Sequence, residues 1–213
     1  MAHVRHADRL TRLLHQRAGN PRRAAEIGVF RGDTSVRLLR AFTDLHLVLV
    51  DSWSTHTSEG AYWRSGDRCA RLTQSEQDAN AVAATERTEF AAGRREILRM
   101  PSSVAAMRVD DSSLDFAFLD GDHTYAGVQT DLTAWWPKIR PGGVLCGHDY
   151  GHPRDLRGVW GVSRAVDAFL KDRGLTVRLA GKTLWWVEKS DSSESEAAAV
   201  VEAQAHGVDD RTD

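Results

Sequence analysis

Residues 45–50 form a nearly continuous aliphatic run, Leu-His-Leu-Val-Leu-Val, closed by Asp51. A half-buried strand would alternate apolar and polar positions. A run this apolar instead reads as a central strand of a parallel sheet, covered on both faces. Such a sheet requires helices on either side, so the remaining chain should alternate short apolar runs with amphipathic stretches. Residues 24–29 supply a second short strand, and residues 96–100, 114–119 and 144–146 supply three more, the last entered through Pro141-Gly142-Gly143. Between them, Val36, Leu38, Leu39 and Phe42 recur helically over residues 34–42. Val128, Leu132, Trp135 and Trp136 do so over 125–136, where Pro137 ends the run. Thr73-x-x-Glu76 forms a capping box for a helix running to Gly93, and residues 162–171 form another helix. A leading helix over residues 3–18 sets Val4, Leu10, Leu13 and Leu14 on one face. Residues 176–180 and 183–187 flank Gly181-Lys182, a two-residue hairpin signal. The expected fold is α/β: a doubly wound, seven-stranded, mostly parallel sheet with one antiparallel strand and a C-terminal antiparallel hairpin.

At 213 residues the chain has room for one such domain. We assign residues 1–189 to it, with a leading helix within 1–20 and an irregular loop-and-helix insertion over 52–95. Residues 190–213 are rich in Ser, Glu, Ala and Asp and read as a disordered acidic tail. Without that tail the chain is only mildly basic, which excludes the footprint of a nucleic-acid partner. No apolar run is long enough to span a membrane, and the first residues lack a secretory apolar core. Cys69 and Cys146 stand far apart and in no metal-ligand spacing, which fits a reducing cytoplasm.

The first strand–helix junction reads Glu26-Ile-Gly28-Val-Phe-Arg-Gly32-Asp-Thr34. Glycines there allow a sharp turn and a close ligand approach, and the following helix offers free N–H groups. Phe30 stands where the second glycine of a dinucleotide fingerprint belongs, which counts against a pyrophosphate cradle and a nicotinamide-dependent oxidoreductase. Asp51, closing the second strand, is placed to accept hydrogen bonds from both hydroxyls of a ribose. A glycine turn with a helix-capping acid is the structural alternative; the two features together favour a nucleoside site.

These residues, together with Phe118-Leu-Asp120-Gly-Asp122-His123-Thr-Tyr125, Pro141-Gly-Gly143 and Gly147-His148-Asp149-Tyr150, resemble the motifs of class I S-adenosylmethionine (SAM)-dependent methyltransferases. They are especially similar to catechol O-methyltransferase and the macrocin-type sugar O-methyltransferases. The resemblance implies a Rossmann-like methyltransferase fold, SAM as cofactor and a small-molecule methyl acceptor. It implies that Glu26, Gly28 and Gly32 shape the site for the methionine end, that Thr34 holds its carboxylate and that Asp51 takes the ribose. Ser102 would lie near the adenine, with Ser103 competing, and Asp120 would border the cofactor. It further implies a divalent cation, magnesium or manganese, on Asp120, His148 and Asp149, with His123 as base.

One residue departs from the pattern. His148 stands where an acid is usual, and imidazole suits manganese, iron or zinc better than magnesium. Alternatively, Asp120, Asp122 and Asp149 supply the oxygens and His148 is a second base. Asp120 and Asp122 could also serve only as helix caps.

The loop carrying Tyr150, Arg154, Arg157 and Trp160 follows directly and could hold the acceptor; Trp53, Tyr62, Trp63 and Arg64 could close the opposite side. Packing of these loops onto the domain is the competing reading for each Trp. Of Trp135/Trp136 and Trp185/Trp186, one of each pair is expected in the core. The leading helix and the 52–95 insertion offer contacts for a homodimer. The expected activity is metal-assisted O-methylation of a hydroxyl on a sugar or phenolic natural product. The alternatives are a metal-free O- or N-methyltransferase with a His base, and a non-catalytic SAM-binding module.

Overall fold

The structure, a computed structural model, describes residues 2–190, with side chains from residue 6 onward. The acidic tail expected over 190–213 lies, Ser190 apart, outside the described residues. The helices are α1 Ala2–Arg17, α2 Asp33–Ala41, α3 Ala61–Arg64, α4 Gln74–Arg87, α5 Ser102–Ala106, α6 Tyr125–Trp135, α7 Pro153–Leu156 and α8 Val162–Lys171. The strands are β1 Arg23–Ile27, β2 His46–Asp51, β3 Arg95–Arg99, β4 Leu114–Leu119, β5 Ile139–Gly147, β6 Arg178–Ala180 and β7 Leu184–Glu188.

All seven strands join one sheet in the order β3-β2-β1-β4-β5-β7-β6. Strands β1 to β5 pair in parallel, and β7 runs antiparallel to both its neighbours. The order reverses between β1 and β4, which opens a crevice at their carboxyl ends, the place where ligands bind in such sheets. The β2 run is explained by burial on both faces. Val48 and Val50 pack with α5, α6 and α8, whereas Leu47 and Leu49 pack with α1, α2 and Ala84 of α4. Among the described residues no helix is long and apolar enough to cross a membrane.

The structure corrects several boundaries. Strand β5 begins at Ile139 rather than after Pro141-Gly142-Gly143, because the glycine turn is absorbed as a register shift against β4 between Leu114 and Phe116. Proline and glycine are tolerated at such an irregularity. Gly142 takes φ +70°, and a Cβ on Gly143 would lie 2.7 Å from Ile139 Cγ2.

Helix α4 carries the Thr73–Glu76 capping box but stops at Arg87. There the Thr88 hydroxyl donates back to the Ala84 carbonyl at 2.7 Å, and a 3-10 segment, Glu89–Arg94, follows. The hairpin turn holds three residues, not two, since Ala180 pairs with Leu184. Trp135 fills the core as expected, but Trp185 and Trp186 are both buried, because β7 is an inner strand with helices on each face.

Candidate active site

The crevice is a cavity of about 580 Å³ at the carboxyl edge of the sheet, within the range of small-molecule sites. Gly28, Asp51, Ser102 and Asp120 line it. Glu26, Gly32 and Thr34 are not among the lining residues.

Gly28 is where the backbone must be bare. Its φ is +90°, its N–H donates to the Val50 carbonyl at 2.9 Å, and an added Cβ would sit 2.2 Å from the Asp120 carbonyl oxygen. The Asp120 N–H in turn donates to the Ile27 carbonyl at 2.7 Å, so strands β1 and β4 deliver both residues to one point. Gly32, with φ +75°, starts α2 and abuts Ala84 of α4, so the insertion packs against this turn.

Glu26 is buried and accepts a hydrogen bond from Ser35 Oγ at 2.5 Å. Burial pushes its carboxyl up to about 8, partly offset by Ser35. Asp51 accepts the Trp53 N–H on Oδ1 and the Phe30 N–H on Oδ2, both at 2.9 Å. Burial raises its carboxyl against those two donors. A carboxylate offers about four lone-pair sites, so acceptor capacity remains on both oxygens.

Phe30 and Trp53 take positive φ (52° and 41°), and Trp53 Nε1 donates to the Phe30 carbonyl at 2.8 Å. Trp53 is fully buried and belongs to the core, which decides for loop packing at that residue. Tyr62, edge-on to His56 at 4.7 Å, lines the cavity from the insertion instead. Ser102 Oγ accepts from Trp135 Nε1 at 2.8 Å and also bonds Asp131, another lining residue, whose burial lifts its carboxyl to about 7.

A second group adjoins the cavity. His123 Nδ1 donates to Asp67 Oδ2 at 2.6 Å. Its Nε2 lies 3.0 Å from Asp149 Oδ2, off the direct hydrogen-bond line, and 3.5 Å from Asp120 Oδ1. Burial disfavours charge on this ring, yet the carboxylates of Asp120, Asp149 and Asp67 around it hold its pKa well above 6.5. His148 repeats the arrangement. Its Nε2 contacts Thr183 Oγ1 at 2.8 Å, and its Nδ1 lies 3.2 Å from Asp149 Oδ2. Against burial, Asp149 and Asp120 raise this imidazole too. The Asp149 carboxyl is held well below the usual range, against its own burial, by the two imidazoles. Its φ of 63° turns the chain directly after β5, a conformation Asp tolerates better than most residues.

Each imidazole therefore has one nitrogen tied outward, to Asp67 or Thr183, and the other directed at shared carboxylates. This is how metal-binding histidines are oriented, and the donor set of two carboxylates and two imidazoles fits a divalent ion. Ligand atoms of Asp120, His123 and Asp149 fall within 4.8 Å of one another, as do those of His6, Asp120 and His148. The expected set of Asp120, His148 and Asp149 is not itself one of these groups: Asp120 and His148 fall in one, Asp120 and Asp149 in the other. Asp122 serves a local purpose, accepting the Thr124 N–H at 2.8 Å ahead of α6, whose N-cap is Thr124.

None of the loop residues Tyr150, Arg154, Arg157 and Trp160 lines the cavity. Trp160 is stacked between His123 (4.3 Å) and His152 (4.6 Å). Arg154 donates to the Gly66 carbonyl, the Tyr150 hydroxyl donates to Asp167 at 2.8 Å, and Arg157 is exposed. Trp160 and Arg154 thereby join this loop to the insertion beside His123. Asp67, Asp131 and Thr183 are functional candidates that sequence reasoning missed; only Thr183, at the expected hairpin, lay near any motif.

Residues 25–150 match the profile of a methyltransferase-domain family, and the chain belongs to that family. With the sheet order and the cleft described above, it is a class I SAM-dependent methyltransferase, an enzyme. The O-methyltransferase NovP superposes with a TM-score of 0.60 at 19% identity, over 86% of this chain and 80% of that one. The O-methyltransferase TomG from Streptomyces achromogenes, involved in tomaymycin synthesis and solved with SAM, gives 0.58 at 20% identity over 85% and 79%. Protein y4gI of Sinorhizobium fredii is 36% identical over 64 residues, 30% of this chain and 7% of that protein, so the match spans a small part of its length.

Proposed function

We propose that this methyltransferase transfers the methyl group of SAM to a hydroxyl of a small metabolite, a sugar or phenolic natural product. It does so with a divalent cation, magnesium or manganese, at Asp120, His148 and Asp149. The observation that carries this reading is the convergence of two outward-tethered imidazoles on Asp120 and Asp149 beside a cavity of cofactor size. The folds of NovP and TomG, both O-methyltransferases, point the same way. When bound, SAM supplies a sulfonium-activated methyl group, and the cation stabilises the alkoxide form of the acceptor hydroxyl.

The protein's part is positioning. Gly28 lets the cofactor approach the β1 turn, Asp51 accepts the ribose hydroxyls, and Ser102 borders the adenine end. Glu26 and Gly32 shape the turn around the methionine end, and Thr34, in the first turn of α2, holds its carboxylate. His123 is not a ready base in the metal-free protein, because three carboxylates favour its protonated form. A cation on the shared carboxylates would displace that proton and free the inner nitrogen. The loop of Tyr150, Arg154, Arg157 and Trp160 frames the acceptor side, with Trp160 as the wall behind His123.

The test is isothermal titration with SAM, with and without magnesium or manganese, followed by transfer of labelled methyl to hydroxylated sugars and phenols. Turnover abolished by a chelator and restored by metal is expected. SAM binding with chelator-indifferent turnover would assign catalysis to a His base instead. Absence of SAM binding under all conditions would overturn the reading.

A further inference from the structure

The leading helix α1 is bound to the body by Leu10, Leu13 and Leu14, which pack in the same core as Leu38, Leu39 and Phe42 of α2's segment. Its middle is fixed over the C-terminal hairpin: a Cβ on Gly181 would lie 2.6 Å from the Arg9 guanidinium. One turn further back, this places His6 against the end of the sheet. Its ring lies 5.4 Å from that of Phe118 in β4 and edge-on to His148 at 3.9 Å. Nitrogens of His6 and His148 and an oxygen of Asp120 lie within 4.8 Å of one another, compact enough for one ion to reach all three.

We propose that His6 is a further ligand of this ion, and that beside His148 and Asp120 it puts two imidazoles in the coordination shell, which selects manganese or a later transition-metal ion over magnesium. The chemistry follows from the donors. Magnesium keeps oxygen ligands and sheds water reluctantly, whereas imidazole favours manganese through zinc, increasingly along the first transition row. The orientation is prepared on one side already: Thr183 Oγ1 occupies His148 Nε2, leaving Nδ1 beside Asp149. Because His6 comes from α1, ion binding also ties the leading helix to the site. The inference rests on the metal-assisted reading for the place of the ion, but not on methyl transfer.

The probe is cobalt(II), titrated into the full chain with visible absorption as readout and magnesium as competitor. Tight cobalt binding that excess magnesium does not displace is expected. His6→Ala should weaken cobalt affinity by more than about 100-fold, beyond the 10- to 100-fold loss typical of outer-shell partners. Pulsed EPR of the copper(II)-loaded wild type should show two coordinated imidazoles, reduced to one in His6→Ala and in the gentler His6→Asn. SAM titration of both variants reports whether the fold and the cofactor site survive, separately from the ion. Cobalt binding unchanged by either substitution, displacement of cobalt by equimolar magnesium, or an equal imidazole count in wild type and His6→Asn would each overturn the proposal.

Discussion

Replacing Asp67 with Asn asks whether the insertion fixes the proton on His123. In the metal-free protein the two side chains meet at 2.6 Å, with 8% and 13% of their surfaces exposed. Asn preserves the shape and an acceptor oxygen but removes the charge. A hydrogen bond to a charged group contributes about 1.5–3 kcal/mol, so the substitution should cost about 2 kcal/mol where His123 is protonated. For a domain of this size that lowers Tm by about 4–8 °C. The pH window follows from the direction of each shift. His123 has a raised folded pKa, so its stabilising contribution is fully present below 6.5 and fades as pH rises through the folded value. Asp67 has a lowered one, so its contribution is present above 3.8 and is lost only in stronger acid. The penalty should therefore be full between about pH 4.5 and 6.5 and shrink well above neutrality. Thermal melts of both proteins with chelator, at acidic, neutral and alkaline pH, measure it, and imidazole nitrogen NMR follows the protonation of His123. A penalty of equal size at every pH, or a wild-type His123 that titrates at its ordinary value, would refute the reasoning.

Three further outcomes follow from the same geometry. Gly28→Ala should cost about 3 kcal/mol or more, or prevent folding, because its Cβ meets backbone at 2.2 Å at a φ of +90°; denaturant unfolding reads the loss. Glu26→Gln should be near neutral at about pH 4.5 and stabilise increasingly relative to wild type as pH rises, the full gain being reached by about pH 8. The Glu26 pKa is raised from 4.5 to about 8, so the wild type loses stability as pH climbs through that interval, and melts across it would show the two curves diverging. Asp51→Asn should weaken SAM binding at least about tenfold, equivalent to 1.4 kcal/mol, with little change in the Kd of the metal.

The sheet was legible because its inner strands are buried on both faces and so read as nearly continuous apolar runs. Residues 45–50 and 114–119 fell within one residue of β2 and β4 for that reason. Boundaries failed where a local signal had two structural uses. Pro141-Gly142-Gly143 reads as a turn, and the chain uses it as an irregularity inside β5. Trp185 and Trp186 read as one inward and one outward residue, but an inner strand has no outward side. Asp120, His123, His148 and Asp149 were legible because strand ends fix their positions. Asp67 was not, since it lies 56 residues before His123 in a segment without periodicity, and only the folded insertion brings it near.

This contrast has a functional consequence. The carboxylates are set by the sheet: Asp120 through its backbone bond to β1, and Asp149 through the turn that ends β5. The imidazoles are set by side chains that the sheet does not supply in common. Asp67 comes from the insertion, Thr183 from the hairpin turn, and Trp160, stacked on His123, from the loop after β5. The hairpin turn and the loop after β5 do not line the cavity, so changes there can retune the proposed metal centre and acceptor wall while the fold and the cofactor cleft stay intact, which is the usual division between scaffold and loops. Residues 150–161 do not line the cavity, so for this enzyme the identity of the acceptor should track substitutions there, and SAM affinity should not.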